Sequence, residues 1–221
     1  MTPDDLAKNI DHALLAPTLT DREFEGGCNL AIRYQVASVC VVPHFLARCA
    51  AILRGSGVRA STTIGFPHGT PTTAIKLAEA MLALDQGAEE LDVVVNIGKV
   101  RGGDYGYVHD ELAALTRATH ARGAKIKIIF ENAYLEPSHK LELCRMCGEI
   151  GADWAKTSTG FGPGGATVED VAFMRAHCPP EVEIKASGGI RDLQTAFTMR
   201  NAGASRIGTS STEAILEALR R

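Results

Sequence analysis

Along this chain, short runs rich in β-branched residues alternate with segments whose apolar positions recur every three or four residues. The runs cover 10–13, 37–42, 58–64, 91–96, 126–131, 153–157, 182–186 and 206–208. Segments with helical periodicity lie at about 20–34, 43–54, 71–86, 104–122, 137–149, 167–178, 191–201 and 211–220. In 71–86, Ala74, Leu77, Ala78, Met81 and Leu84 share one face, while Lys76, Glu79 and Asp85 fall elsewhere. Gly87 then supplies a stop. Thr167-Val-Glu-Asp170 reads as an N-cap with an acid at the third helical position.

Several of the strand runs are continuously apolar, Leu91-Asp-Val-Val-Val95 above all. Such runs suit parallel strands covered on both faces. Eight strand–helix units with no linker predict one (β/α)8 barrel over residues 1–221, compact, with a short N-terminal extension before the first strand. A doubly wound open sheet of the same units is the rival. The choice turns on the first strand, because without it seven strands remain and closure does not follow.

Composition removes whole classes of function. With 45% hydrophobic residues the chain is too apolar for disorder, and no apolar run approaches the ~20 residues of a membrane-spanning helix. A net charge of −3, with Lys and Arg dispersed, gives no basic surface for nucleic acid. The first ten residues lack the basic and apolar regions of a signal peptide, so a cytoplasmic protein with six reduced cysteines is expected. Cys144-Arg-Met-Cys147 has redox or zinc spacing but lies inside a helical pattern with no second ligand pair. Packing is the simpler reading there, and no metal site is predicted. The histidines form no motif, and Trp154 reads as packing.

Charge placement is more informative. The chain has only eight lysines, yet Lys156 and Lys185 both fall near the C-terminal ends of predicted strands, and Asp92 lies within another. In a barrel that rim is where active sites gather. A neighbouring cation and desolvation would both depress one amine's pKa, and a neutral amine attacks aldehydes to form a Schiff base. Asp92 could relay protons. The competing reading is a structural Lys–Asp pair or lysines snorkelling at the rim. Ser187-Gly-Gly-Ile-Arg191 and Gly208-Thr-Ser-Ser211 follow the last two strands and open helices, the place where such barrels bind phosphate. Taken singly, each is also an ordinary turn. The loop Thr157-Ser-Thr-Gly-Phe-Gly-Pro-Gly-Gly165 follows Lys156 and reads either as a pocket-shaping loop or as an ordinary strand-to-helix turn, and Phe161 and Phe66 equally as pocket walls or as hydrophobic cover.

Together, Ile10-Asp-His12, Val39-Cys-Val41, Leu91-Asp-Val-Val-Val-Asn96, Ala155-Lys-Thr-Ser-Thr-Gly-Phe-Gly162, Ile184-Lys-Ala-Ser-Gly-Gly-Ile-Arg191 and Gly208-Thr-Ser-Ser211 resemble the deoxyribose-phosphate aldolases over essentially the full chain. That resemblance implies a class I aldolase on a (β/α)8 barrel. Its reaction would be the reversible cleavage of 2-deoxy-D-ribose 5-phosphate to D-glyceraldehyde 3-phosphate and acetaldehyde, in deoxyribonucleotide and carbohydrate breakdown. It implies Lys156 as the Schiff-base lysine, Lys185 as the lysine that lowers its pKa and Asp92 as the acid of the proton relay. Gly188, Gly189, Gly208, Ser210 and Ser211 would meet the phosphate, while Asp11, Cys40 and Gly160 would line the substrate pocket. No cofactor and no metal are implied, and a homodimer is. The chain departs from the family pattern at Ala13, Asn132 and Thr212, and it ends Leu219-Arg-Arg221 without the terminal tyrosine of some members. These departures bear on rate and substrate preference, so a Schiff-base aldolase for another phosphorylated aldose stays open. So does a sugar-phosphate-binding protein without turnover. Glu183 shares strand parity with Lys185 and points either inward below it or out at the strand's solvent end.

Overall fold

All eight runs form strands, and the strands close. β1 (Ile10–Leu14), β2 (Ser38–Val41), β3 (Arg59–Ile64), β4 (Glu90–Val94), β5 (Lys125–Ile129), β6 (Trp154–Lys156), β7 (Glu183–Ser187) and β8 (Arg206–Thr209) pair in chain order in a computed structural model that describes residues 2–220. Every pairing is parallel. Closure comes from the first strand, through Ile10↔Ile207, Asp11↔Gly208 and His12↔Thr209. This excludes the open sheet, which would leave β1 and β8 as unpaired edges.

Around the strands run α2 (Asp21–Tyr34), α3 (Leu46–Leu53), α4 (Thr73–Asp85), α6 (Tyr105–His120), α7 (Pro137–Ile150), α8 (Val168–His177), α9 (Leu193–Asn201) and α10 (Thr212–Arg220). Their starts follow local chemistry. Thr20 and Glu23 form a capping box before α2, and the Thr167 side chain accepts from the Asp170 amide at the start of α8. The expected helix at 43–54 begins as a 3-10 turn, Pro43–Phe45, before α3. Two short helices escape the periodicity. α1 (Pro3–Ala7) lies in the N-terminal extension, is capped by Thr2 and Asp5, and buries Leu6 and Ala7. α5 (Ile97–Arg101) is capped by Asn96. Five residues make little more than one turn, too few for an amphipathic repeat to register.

Strand parity divides the interior in two. Outward side chains such as Leu91, Val93, Ile126, Ile128, Ile184 and Ile207 pack with Phe24, Leu46, Leu112, Met174 and Ile215 of the helices into one apolar layer. Inward side chains are largely polar: Asp11, Ser38, Ser61, Glu90, Asp92, Lys127, Lys156, Lys185 and Arg206 are all buried. The run Leu91-Asp-Val-Val-Val95 is therefore covered on both faces but not by the same material. Leu91, Val93 and Val95 join the apolar layer, whereas Asp92 turns toward three lysines. Trp154 forms part of the barrel floor, with the Arg206 guanidinium 4.7 Å, Lys125 Nζ 5.0 Å and Lys127 Nζ 5.6 Å from its ring centre. Glu183 marks the solvent end of β7: it is exposed and accepts a 2.7 Å hydrogen bond from Ser205 Oγ.

Candidate active site

A cavity of about 390 Å³ opens at the C-terminal end of the barrel. Lys156, Lys185, Asp11, Cys40, Gly160, Gly188, Gly189, Gly208 and Ser210 all line it. Asp92 is fully buried in contact with both lysines. Ser211 is not part of the lining: it is half-buried at the start of α10, and its amide donates to Thr209 Oγ1 at 2.9 Å. The strands explain the convergence. Lys156 and Lys185 are register partners on β6 and β7, so their side chains rise side by side from adjacent strands into the barrel.

Both amines reach the same carboxylate oxygen. Lys156 Nζ lies 2.6 Å and Lys185 Nζ 2.7 Å from Asp92 Oδ2, while Lys127 Nζ lies 2.8 Å from Asp92 Oδ1. A second carboxylate, Asp11, pairs with Lys185 through Oδ2 at 2.5 Å and with Arg206 through Oδ1 at 2.6 Å, and Ser38 Oγ donates to Oδ1 at 2.7 Å. Below them Glu90 accepts from Lys127 at 2.6 Å and Arg206 at 3.2 Å. Lys127, Lys156, Lys185 and Arg206 thus face Asp11, Glu90 and Asp92, all buried. Cations exceed carboxylates by one. Loss of a proton from one amine removes the excess charge, which is costly to keep in an apolar shell.

The amine with reason to lose its proton is Lys156. Burial pushes its pKa below that of an ordinary lysine; Asp92 opposes this, and the Lys185 cation adds to the lowering. For Lys185, burial also favours the neutral form, but Asp11 and Asp92 outweigh it, and its pKa rises. Burial would raise the Asp92 pKa, yet Lys127, Lys156 and Lys185 hold it well below the usual carboxylate range. Burial and Asp92 push the Cys40 thiol up to about 11, so it remains protonated at neutral pH. Two lysines in contact with one carboxylate therefore lie on opposite sides of the ordinary lysine pKa. A separation of this kind equips one group as a nucleophile and its neighbour as a fixed cation.

The other side of the cavity is built from glycine. Gly188 and Gly189 have φ of 89° and 81°, a region that favours glycine. A Cβ on Gly208 would come within 2.7 Å of Ser187 Cβ and 3.2 Å of Lys185 Cε, so this position stays bare to let Lys185 pass. After β7 the helix starts only at Leu193, with the Asp192 side chain capping its first turn, so the bare loop, not that helix end, borders the cavity. After β8 the arrangement is closer: Ile215 N donates to Ser211 O, which puts the first turn of α10 beside Ser210. Arg191 also lines this end.

The lysine–acid motif reading did not include Lys127, Glu90 or Arg206. Lys127 had the same signal as its partners, a lysine between Ile126 and Ile128. Phe161 does line the cavity, its ring 5.3 Å from Phe66 in an edge-on pair. His12 is buried behind β1, its Nδ1 2.9 Å from Thr212 Oγ1, and burial lowers its pKa to about 4. Cys144 and Cys147 are buried free thiols on α7. Among the described residues no His, Cys, Asp or Glu side chains group as metal ligands, and no helix is long and apolar enough to cross a membrane.

Comparison with known proteins identifies the family. The model of the DeoC/LacD family aldolases matches residues 6–218. A deoxyribose-phosphate aldolase of Rhodopirellula baltica is 55% identical over 217 residues, covering 98% of this chain and 90% of its own. One from Thermococcus gammatolerans is 45% identical over 218 residues, covering 98% of this chain and 97% of its own. Among solved structures, an aldolase called QR15 superposes with a TM-score of 0.93 at 39% identity, covering 98% of this chain and 96% of its own. The tetrameric deoxyribose phosphate aldolase of Aeropyrum pernix gives a TM-score of 0.93 at 31% identity, covering 99% and 92%.

Proposed function

The chain belongs to the DeoC/LacD aldolase family, and from that membership we propose that it reversibly cleaves 2-deoxy-D-ribose 5-phosphate to acetaldehyde and D-glyceraldehyde 3-phosphate through a Schiff base on Lys156. The observation that carries this reading is the pair of amines on one Asp92 oxygen, with Lys156 shifted toward the neutral form and Lys185 away from it.

The chemistry follows from that asymmetry. The neutral Lys156 amine adds to the aldehyde carbon of the open-chain sugar, and the resulting carbinolamine loses water to give a protonated imine. A base takes the proton from the hydroxyl on carbon 3. The bond between carbons 2 and 3 breaks, and its electron pair moves into the imine, which becomes an enamine. Carbon 3 leaves as the aldehyde of glyceraldehyde 3-phosphate. Protonation of the enamine at carbon 2 restores the imine, and water releases acetaldehyde and the free amine. Asp92, in contact with both lysines, is the relay for these protons, working directly or through water. Lys185 stays charged and stabilises the anionic carboxylates without competing as a nucleophile. The phosphate binds at the glycine end, on the amides around Gly188, Gly189 and Ser210 beside bare Gly208, near Arg191. Asp11 and Cys40 line the pocket, and the protonated Cys40 thiol is a neutral wall.

Borohydride added with substrate should fix a two-carbon adduct on Lys156, read by mass spectrometry, and Lys156→Ala should lose turnover by about a thousandfold or more. An active preparation that gives no adduct, or a turnover unchanged in Lys156→Ala, overturns the reading. A homodimer in the cytoplasm completes this proposal. Sedimentation velocity separates the dimer from the tetrameric form described for the Aeropyrum pernix protein.

A further inference from the structure

Glu131 stands just beyond β5, and its backbone and its side chain are both unusual. It adopts φ 59°, ψ 62°, a left-handed conformation that a side chain disfavours, and it is 1% exposed. Its carboxylate accepts the Thr159 amide at 3.3 Å on Oε1 and 3.2 Å on Oε2, and the Thr159 hydroxyl donates to Oε2. These are neutral donors, unlike the ammonium and guanidinium groups around Asp11, Glu90 and Asp92. A buried carboxylate solvated this way, on a strained backbone, persists only where its surroundings hold it firmly.

What it holds is the wall of the cavity. Phe130 N donates to Lys156 O at 2.9 Å and Asn132 N to Thr157 O at 3.0 Å, so the ends of β5 and β6 are stitched on either side of Glu131. Thr159 Oγ1 in turn accepts the Phe161 amide at 3.0 Å. Thr159, Gly160 and Phe161 all line the cavity next to Lys156. The segment then passes close over the carboxylate, since a Cβ on Gly162 would lie 3.0 Å from Glu131 Cδ. It also leans on the glycine end: Ala166 N donates to Gly188 O at 3.0 Å, and a Cβ on Gly160 would lie 3.8 Å from Gly188 Cα.

We propose that Glu131 is a positioning residue that clamps Thr159 and thereby fixes the 159–161 wall against the phosphate end of the cavity. The proposal rests on the aldolase reading. A two-carbon aldehyde reaches Lys156 without using that wall. A five-carbon phosphate has to fit between Lys156 and the glycine loop, so its binding depends on where the wall stands.

The test is Glu131→Gly, which keeps the left-handed backbone at no steric cost and removes the whole side chain, carboxylate included. KM for 2-deoxyribose 5-phosphate should rise about tenfold or more, as for a lost charge-assisted hydrogen bond, with kcat little changed. Borohydride trapping of acetaldehyde on Lys156 should proceed at the wild-type rate. Glu131→Gln, which keeps an acceptor oxygen, should recover most of the KM. Glu131→Asp, a residue that tolerates the left-handed backbone and whose shorter side chain draws the carboxylate away from Thr159, should give the same split, so the test survives if the glycine variant fails to fold. A wild-type KM in Glu131→Gly, a parallel loss of acetaldehyde trapping in the folded variant, or a Gln variant no better than Gly overturns the proposal. If the wild-type protein itself is not trapped at Lys156, the aldolase reading falls and this one with it. Normal trapping in the wild type with an unmoved KM overturns the clamp alone.

Discussion

Lys127 and Ile128 are neighbours on β5, both fully buried, yet they occupy different environments. Ile128 faces outward into the apolar layer between strands and helices. Lys127 faces inward and meets Glu90 at 2.6 Å, Asp92 at 2.8 Å and Asp11 at 3.6 Å. Apart from one buried ion pair, Lys76 on α4 and Glu111 on α6 at 2.6 Å, the outer layer is held by area removed from water, which is non-directional and tolerant of similar shapes. The inner one is held by paired charges, where each partner exists because another is fixed opposite it. Removing a partner there leaves an uncompensated buried ion. The fold can thus be stabilised on one face of each strand while the other face carries the proposed nucleophile.

The sharpest way to separate the two is Lys127→Met, which keeps an unbranched chain of similar length and removes the charge. Asp92 loses the charged partner of its Oδ1, leaving only Ser61 Oγ at 3.5 Å there, and Glu90 loses its closest cation. We expect a loss of about 3–5 kcal/mol in urea-unfolding free energy. A loss under about 1 kcal/mol would show that the inner region tolerates change as the outer one does.

Next in size is an effect on ionisation. In Lys185→Leu the cation that helps depress Lys156 is gone, while Asp92 still favours the charged form, so the Lys156 pKa rises. The reactive form is the neutral amine, and the acid limb of kcat/KM therefore moves to higher pH. At a pH on that limb the rate falls about tenfold for each pH unit of movement. An unmoved limb would mean that the Lys185 cation does not lower the Lys156 pKa. Lys127 and Arg206 still face Asp11 in this variant, so the fold should be retained.

The outer region was legible in the sequence because periodicity is its organising rule, and eight strands with eight major helices followed from it; the buried face of α4 did not, since Ala74, Ala78 and Met81 are exposed while Lys76 is buried against Glu111. The inner region was legible only at its top. Lys156 and Lys185 stood out as charges at strand ends, and Asp92 as an acid inside an apolar run. Glu90 and Arg206 begin their strands, a position that looks solvent-facing until closure makes it a floor. Glu183 also begins a strand and is exposed. Start position alone therefore decides nothing, and the difference lies in which side chains the neighbouring strands supply. Glu131 had no local signal at all, because its conformation is imposed by a loop from the next strand. The glycine clusters were legible as bare backbone, but not the start of α9 at Leu193, which Asp192 caps for itself.

The smallest expected effect tests the separation from the other side. Ile128→Val deletes one methyl group from the apolar layer, one residue from Lys127, and its cost is the lost transfer energy plus a small cavity, about 0.5–1.5 kcal/mol. Because β5 keeps its pairing with β4 and β6 through the backbone, Lys127 should hold its place over Asp92. Unfolding in urea should shift by that amount, while kcat, KM and the acid limb of the pH profile remain those of the unaltered protein. A displaced limb would show that packing behind a strand is transmitted through it to Asp92 and Lys156. The two faces of the barrel would then be one coupled system whose outer layer helps to set the pKa of the amine inside.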